Sequence, residues 1–265
     1  MKKIRKTFIR KLASAIGYYP TKKTKQQDLQ SLLASLRPMT PEQGFIRIGP
    51  DGNGGYVVPN NLDGIQASYS PGVSTECRFD KACADMGMAV FMADQSVHGP
   101  PEEHANFHFT KKFIGALTNQ EFMTLDTWVE STGSQLTGDL MLQIDIEGAE
   151  YEVFIGASDR LMNRFKIIIA EFHRLDQLFS KPYFGLASKA FEKLLQTHTC
   201  VHIHPNNCRA TQKQGSIEIP PVAEFTFLRK DCVGKAVPAD QFPHPLDHDS
   251  ARGPHIALPR CWYKD

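Results

Sequence analysis

The sequence predicts an α/β fold built on a mainly parallel sheet, and three observations predict it. Strand-like and helix-like segments alternate from residue 67 to residue 228, as in a doubly wound sheet. An apolar run at 140–144 stops on Asp145, and the turn Ile146-Glu147-Gly148-Ala149 leads into a helix opening at Glu150. A β-branched run at 166–172, KIIIAEF, ends with Glu171 and His173 at its edge. Ligands of open sheets bind beyond the carboxyl ends of the strands, so both endings aim titratable groups at a pocket.

In order along the chain, residues 1–37 read as two helices broken by Gly17-Tyr18-Tyr19-Pro20, with Pro38 and Pro41 ending the section. Residues 44–66 are rich in Gly, Asn and Pro around a short apolar run at 56–58. Residues 67–73 suit a strand, 76–86 a helix, and 88–93 a strand ending at Asp94. A short strand is expected at 107–109, a helical piece at 125–130 and a buried strand at 140–144. Helices follow from Ala149 and at 158–163, then the strand at 166–172. An amphipathic helix at 186–198 precedes final strands at 200–203 and 223–228. Residues 38–237 thus form the main α/β domain, and 238–265, rich in Pro, Asp and His, an irregular tail wrapped on it.

The chain has 265 residues and 41% hydrophobic content, enough for one sizeable core with an appendage. No apolar run reaches the roughly 18 residues of a membrane span. The cysteines show neither C-x-x-C pairing nor zinc spacing, which suits free thiols in a reducing cytoplasm. No secretory signal is read at the start. Charge is uneven: residues 1–27 hold nine of the 30 Lys+Arg and no acid, leaving a net of −8 on the remainder. Within the tail Ile4, Phe8, Leu12 and Ile16 recur at helical spacing. A basic amphipathic helix suits peripheral contact with anionic lipid or a partner; the alternative is a helix packed on its own domain. Basic charge confined to the tail argues against a nucleic-acid partner.

A nucleotide-type cofactor needs a glycine turn after the first strand and an acid some 20 residues on, where the second strand ends. Gly72 in YSPGVSTE and Asp94 meet that requirement. A single glycine disfavours the pyrophosphate site of a dinucleotide, and an ordinary βαβ turn remains the alternative.

Four segments add a resemblance: IDIEGAEYEV, TLDTWV around Asp126, the strand–turn–helix YSPGVSTECRFDKACADMGMAVFMADQS, and KIIIAEFH. Together with DGNGGYVVP they make residues 45–231 resemble the FkbM family of S-adenosylmethionine-dependent methyltransferases. The resemblance implies a Rossmann-like seven-stranded methyltransferase sheet, mostly parallel with the last strand reversed, behind the N-terminal helical extension. It implies S-adenosylmethionine between the Gly72 turn and Asp94, with Ser74, Glu76, Gln95 and Asp145 around it. Pro71 and the lone Gly72 depart from the family's glycine-rich turn.

Methyl transfer to a hydroxyl is an in-line displacement that needs alignment and removal of a proton. His173 suits a general base because imidazole titrates near neutrality, and a hydrogen-bonded strand-end histidine is the alternative. Asp145 could orient that base, bind the acceptor, ligate a metal or cap a helix. Glu147 and Glu150 complement a helix N-terminus. Tyr56, Glu147, His204 and Asn206 are acceptor-binding candidates. His202 and His204 share a strand face, so with Asp145 and His173 they could hold a divalent ion. The spacing permits that ion without requiring it, and none is expected. The leading expectation is O-methylation of a hydroxyl on a sugar, surface glycan or small molecule, in the cytoplasm or peripherally at a membrane. The alternatives are N-methylation of an amino sugar, or a binding module of the same fold without turnover.

Overall fold

The structure, a computed structural model, describes residues 15, 17 and 19–264. The first of the two expected N-terminal helices, and most of the basic tail, lie outside those residues. The second is α1 (Gln26–Ser35). The central strands are β1 (Ile65–Pro71), β2 (Ala89–Ala93), β3 (Phe107–Thr110), β4 (Asp139–Ile144), β5 (Phe165–Phe172), β6 (His198–Pro205) and β7 (Ala223–Arg229). Between them run α2 (Arg78–Asp85), α3 (Leu125–Thr132), α4 (Glu150–Gly156), α5 (Asp159–Met162) and α6 (Lys181–Thr197).

The seven strands form one sheet in the order β6-β7-β5-β4-β1-β2-β3. β7 runs antiparallel to both β5 and β6, while the β5–β4, β4–β1, β1–β2 and β2–β3 pairs are parallel. Fold class and reversed last strand are those expected.

Side chains alternate between the two faces. Leu140, Leu142 and Ile144 join one core with Phe172, Phe225 and the buried faces of α1, α3, α4 and α6. Met141, Ile167 and Ile169 face the other core, under α2 and the hairpin of Phe45–Ile48 with Tyr56–Pro59. All eight residues of β5 are buried, Lys166 and Glu171 included, so its mostly apolar wording reflects cover on both faces.

Two differences from expectation have a local cause. α6 begins at Lys181, not at 186, because Pro182 sits in the first turn, where its missing N–H costs nothing. The Gly-rich stretch 44–66 holds a true hairpin, since Gly49, Gly52 and Gly54 take positive φ in its loop. The TLD segment is structural: Thr124 caps α3 by accepting from Thr127 N (3.2 Å), and Asp126 accepts from Ser158 N (2.9 Å) at the start of α5.

The C-terminal segment belongs to the fold. Residues 236–238 pair antiparallel with 39–41. Trp262 is fully buried and its Nε1 donates to Glu218 O (3.0 Å). Among the described residues no helix is long and apolar enough to cross a membrane.

Candidate active site

The order of strands reverses direction at the β4–β1 boundary, where open sheets make their ligand crevice. Gly72 ends β1 there with φ +97°. A Cβ on it would stand 1.8 Å from Asp145 O, so only glycine lets the ends of β1 and β4 meet this closely. Asp94 closes the turn from β2: its Oδ2 accepts from Val73 N (3.1 Å) and its Oδ1 from Ser96 N (2.6 Å).

A cavity of about 410 Å³ opens between these ends. Gly72, Ser74, Asp94, Ser96 and Asp145 supply its polar side, and Phe113, Ile114 and Phe122 an apolar wall. The rings of Phe113 and Phe122 lie 5.3 Å apart on two short parallel strands. One polar side against an aromatic wall suits a nucleoside. Two expected cofactor residues are not in this lining. Glu76 turns away to Arg78, whose Nε lies 2.9 Å off, and its Cγ packs on Gly54. Gln95 is displaced by Ser96, which folds back onto Asp94 with both its N and Oγ.

The second cavity, about 820 Å³, lies beyond β4, β5 and β6. Ser74, Asp145 and Glu147 line both cavities. Glu171, His173, Asp176, Gln177 and Asn206 make the rest of its polar wall, with Arg174 and Arg209 at the edge.

His173 organises this wall. Its Nε2 lies 3.8 Å from Asp145, 3.5 Å from Glu147 and 4.0 Å from Glu171. Its Nδ1 faces Glu150 Oε1 at 3.2 Å. Glu150 is fully buried, and the same oxygen accepts from Ile146 N and Gly148 N, both at 3.1 Å. Glu150 is therefore more than a helix-terminal charge: it is the buried partner that orients the imidazole. Burial works against the imidazolium, but the Glu150 hydrogen bond and the charges of Glu150, Asp145 and Glu171 outweigh it and hold His173 up at about 9. These neighbours favour the protonated imidazole at neutral pH, and His173 can act as a base only once that proton is displaced. Burial lifts Asp145 to about 6, against the pull of His173, and lifts Glu171 to about 7, helped by the neighbouring Asp145 charge.

The sheet register extends this row of acids. Glu171 of β5 pairs with Glu224 of β7, which pairs with His204 of β6. Burial pushes Glu224 up to about 8. Here the candidate metal set of Asp145, His173, His202 and His204 comes apart. His202 and His204 do share a face, but it points at the C-terminal segment: His202 Nε2 lies 2.8 Å from Asp247 Oδ1, and His204 Nδ1 lies 3.5 Å from Asp247 Oδ2. His204 Nε2 meets His248 O at 3.0 Å. Neither histidine lines the large cavity, and both meet Asp247 instead of Asp145 and His173. Asn206 does line it, donating to Glu171 Oε1 (2.9 Å). Tyr56 is 6% exposed beneath the site, its hydroxyl accepting from Gln143 Nε2 (3.0 Å), and it reaches only a narrow crevice beside Gly72.

Residues 74–197, from the Gly72 turn to the end of α6, match the family described as the Methyltransferase FkbM domain. Over residues 74–197 the chain has an FkbM methyltransferase domain. It is accordingly a methyltransferase of the S-adenosylmethionine-dependent kind. The matched segment contains Ser74, Asp94, Asp145, Glu147, Glu150, Glu171 and His173, while Gly72 and Asn206 fall outside it. Among curated proteins nothing matches the chain. Sequence reading missed Phe113 and Phe122, whose two-residue strands carry no periodic signal, and Arg174, whose left-handed backbone (φ 58°) no local residue announces.

Proposed function

We propose that the FkbM domain methylates a hydroxyl of a polyhydroxylated acceptor, a sugar or glycan unit, using S-adenosylmethionine held in the 410 Å³ cavity. The observation that carries this reading is the meeting of the two cavities at Ser74, Asp145 and Glu147. A methyl donor in one and an acceptor in the other would face each other across Asp145. The acceptor side is walled by carboxylates, amides and a histidine, groups that hydrogen-bond to hydroxyls in many orientations. The donor side combines Asp94, suited to a ribose diol, with the Phe113–Phe122 wall, suited to a purine.

Asp145 at the shared rim and His173 beside it on the acceptor side face the hydroxyl that must lose its proton. Calorimetry with S-adenosylmethionine, followed by transfer of a labelled methyl group to a panel of sugars and glycan fragments, tests the reading. Donor binding with label on a neutral sugar oxygen is expected. No donor binding would overturn it. Label on amino sugars alone would move it to N-methylation, where the excess of carboxylates would serve a cationic acceptor.

A further inference from the structure

We propose that Asp145, Glu147 and His173 form a site for one divalent cation, taken by this chain at the rim shared by its two cavities. The proposal deepens the hydroxyl-methylation reading, on which its catalytic role rests. One ligand atom from each of the three side chains lies within 4.8 Å of the others. His173 Nε2 is 3.8 Å from Asp145 Oδ1 and 3.5 Å from Glu147 Oε2. Donors bound at about 2.1 Å around an octahedral ion stand roughly 3–4 Å apart, so the two separations from Nε2 already match a coordination shell. Glu147 is 88% exposed and free to adjust.

Two further observations point to an ion. The imidazole is prepared from behind, since Glu150 is fully buried and holds Nδ1 at 3.2 Å. A carboxylate on one ring nitrogen sets the tautomer and leaves the other nitrogen as the ligand, the usual second shell of a metal-bound histidine. In front, Asp145 Oδ1 is sealed from water and accepts no hydrogen bond among the described residues. A buried carboxylate oxygen left this way lacks a hydrogen-bond donor, His173 Nε2 being its ion-pair neighbour at 3.8 Å, and a cation between the two would be a closer partner. Charge agrees: Asp145, Glu147, Glu150 and Glu171 all lie within 4.0 Å of one imidazole. A single positive charge leaves that group strongly anionic. One nitrogen with two carboxylate oxygens, and positions left for water or substrate, suits Mn²⁺ or Mg²⁺ over thiol-seeking ions.

The ion would bind the acceptor oxygen and acidify its hydroxyl. The O–H proton passes to water in the open cavity. The oxygen pair forms the new O–CH₃ bond, and the C–S pair stays on sulfur as the donor becomes S-adenosylhomocysteine. The metal keeps its oxidation state.

The test uses the full chain, stripped with EDTA, exchanged into metal-free buffer and titrated with Mn²⁺ while free ion is followed by electron paramagnetic resonance. Mn²⁺ avoids the six thiols. One ion per chain is expected, with affinity lowered at least tenfold in Glu147→Gln and in Asp145→Asn. Glu147→Gln, altering an exposed side chain, keeps the parent's thermal stability as the folding control. No binding by the parent, or unchanged affinity in both variants, overturns the site. Calorimetry with S-adenosylmethionine on the same samples separates the two conclusions. Donor binding without Mn²⁺ binding sinks the metal alone and leaves the acids to the acceptor or to the donor's ammonium group. Mn²⁺ binding without donor binding sinks the methylation reading alone.

Discussion

At the scale of single residues, the tightest constraint is the missing side chain at position 72. A methyl group there would meet Asp145 O at 1.8 Å and sit at φ +97°. Gly72→Ala should cost about 1–3 kcal/mol from backbone strain alone and abolish donor binding by parting β1 from β4. Urea denaturation with calorimetry checks it, and a variant as stable and as tight as the parent would show the approach to be relaxed. His173→Ala should lose about 10²–10⁴-fold in turnover, the usual worth of a group that handles a reacting proton, while donor affinity holds, because His173 lines only the acceptor cavity. Equal losses in both would mean that it shapes the donor cavity as well. Asp145 and His173 were legible because strand-terminal titratable residues stand out against apolar runs. Glu150 was not, since the same Glu suits any helix N-terminus. Only the fold brings His173, 23 residues away, onto its carboxylate.

Among elements, the β4, β5 and β7 strands could be read directly, because burial on both faces keeps most of their positions apolar. The strands Phe113–Ile114 and Phe122–Met123 could not, for two residues carry no period. The junction of α6 and β6 yields a pH prediction. His198 is fully buried there, Nε2–H donating to Phe165 O (2.8 Å) and Nδ1 accepting from Thr197 Oγ1 (2.7 Å). Burial depresses it to about 4, despite the favourable carbonyl of Phe165. The folded chain keeps this ring neutral while the unfolded chain protonates it below about 6.5. Its contribution is therefore full above pH 6.5 and lost as pH falls towards 4, about 3 kcal/mol in all. Denaturation midpoints of parent and His198→Asn over that window measure it; parallel pH profiles would assign the acid loss elsewhere.

On the scale of the whole molecule, the C-terminal segment is held by one buried carboxylate. Asp247 is 1% exposed and faces His202 and His204, themselves 5% and 4% exposed. Burial opposes the charge on Asp247, but hydrogen bonds to the two histidines prevail and pull it well below the usual carboxylate range. Burial likewise opposes the His204 imidazolium, yet Asp247 and Glu224 raise it to about 9. The Asp247 contribution is present above about pH 4 and lost as pH falls. The His204 contribution is full below about 6.5 and lost as pH rises through 9. Asp247→Ala should cost about 3–5 kcal/mol at neutral pH, the penalty for stranding a buried charge. Thermal unfolding with limited proteolysis of residues 238–264 would read it. An unchanged midpoint would mean that Trp262 and the pairing of 236–238 with 39–41 suffice to hold the segment.

By itself the sequence determined the α/β class, the strand endings at Asp94, Asp145 and His173, and, through IDIEGAEYEV and its companions, the FkbM resemblance. These are local properties: hydrophobic period, turn chemistry and motif wording act over a few neighbouring residues. The partners of the histidines were decided only by tertiary structure. His202 and His204 looked as ready for a shared ion as His173 did, since alternation on a strand says that two side chains share a face and not what that face meets. The antiparallel insertion of β7 carries β6 away from β4, and the returning C-terminal segment puts Asp247 against it. His173, one strand from Asp145 and backed by Glu150, remains at the cavity. A side chain's charge and direction are written locally, but its partner comes from whichever distant segment the packed sheet delivers.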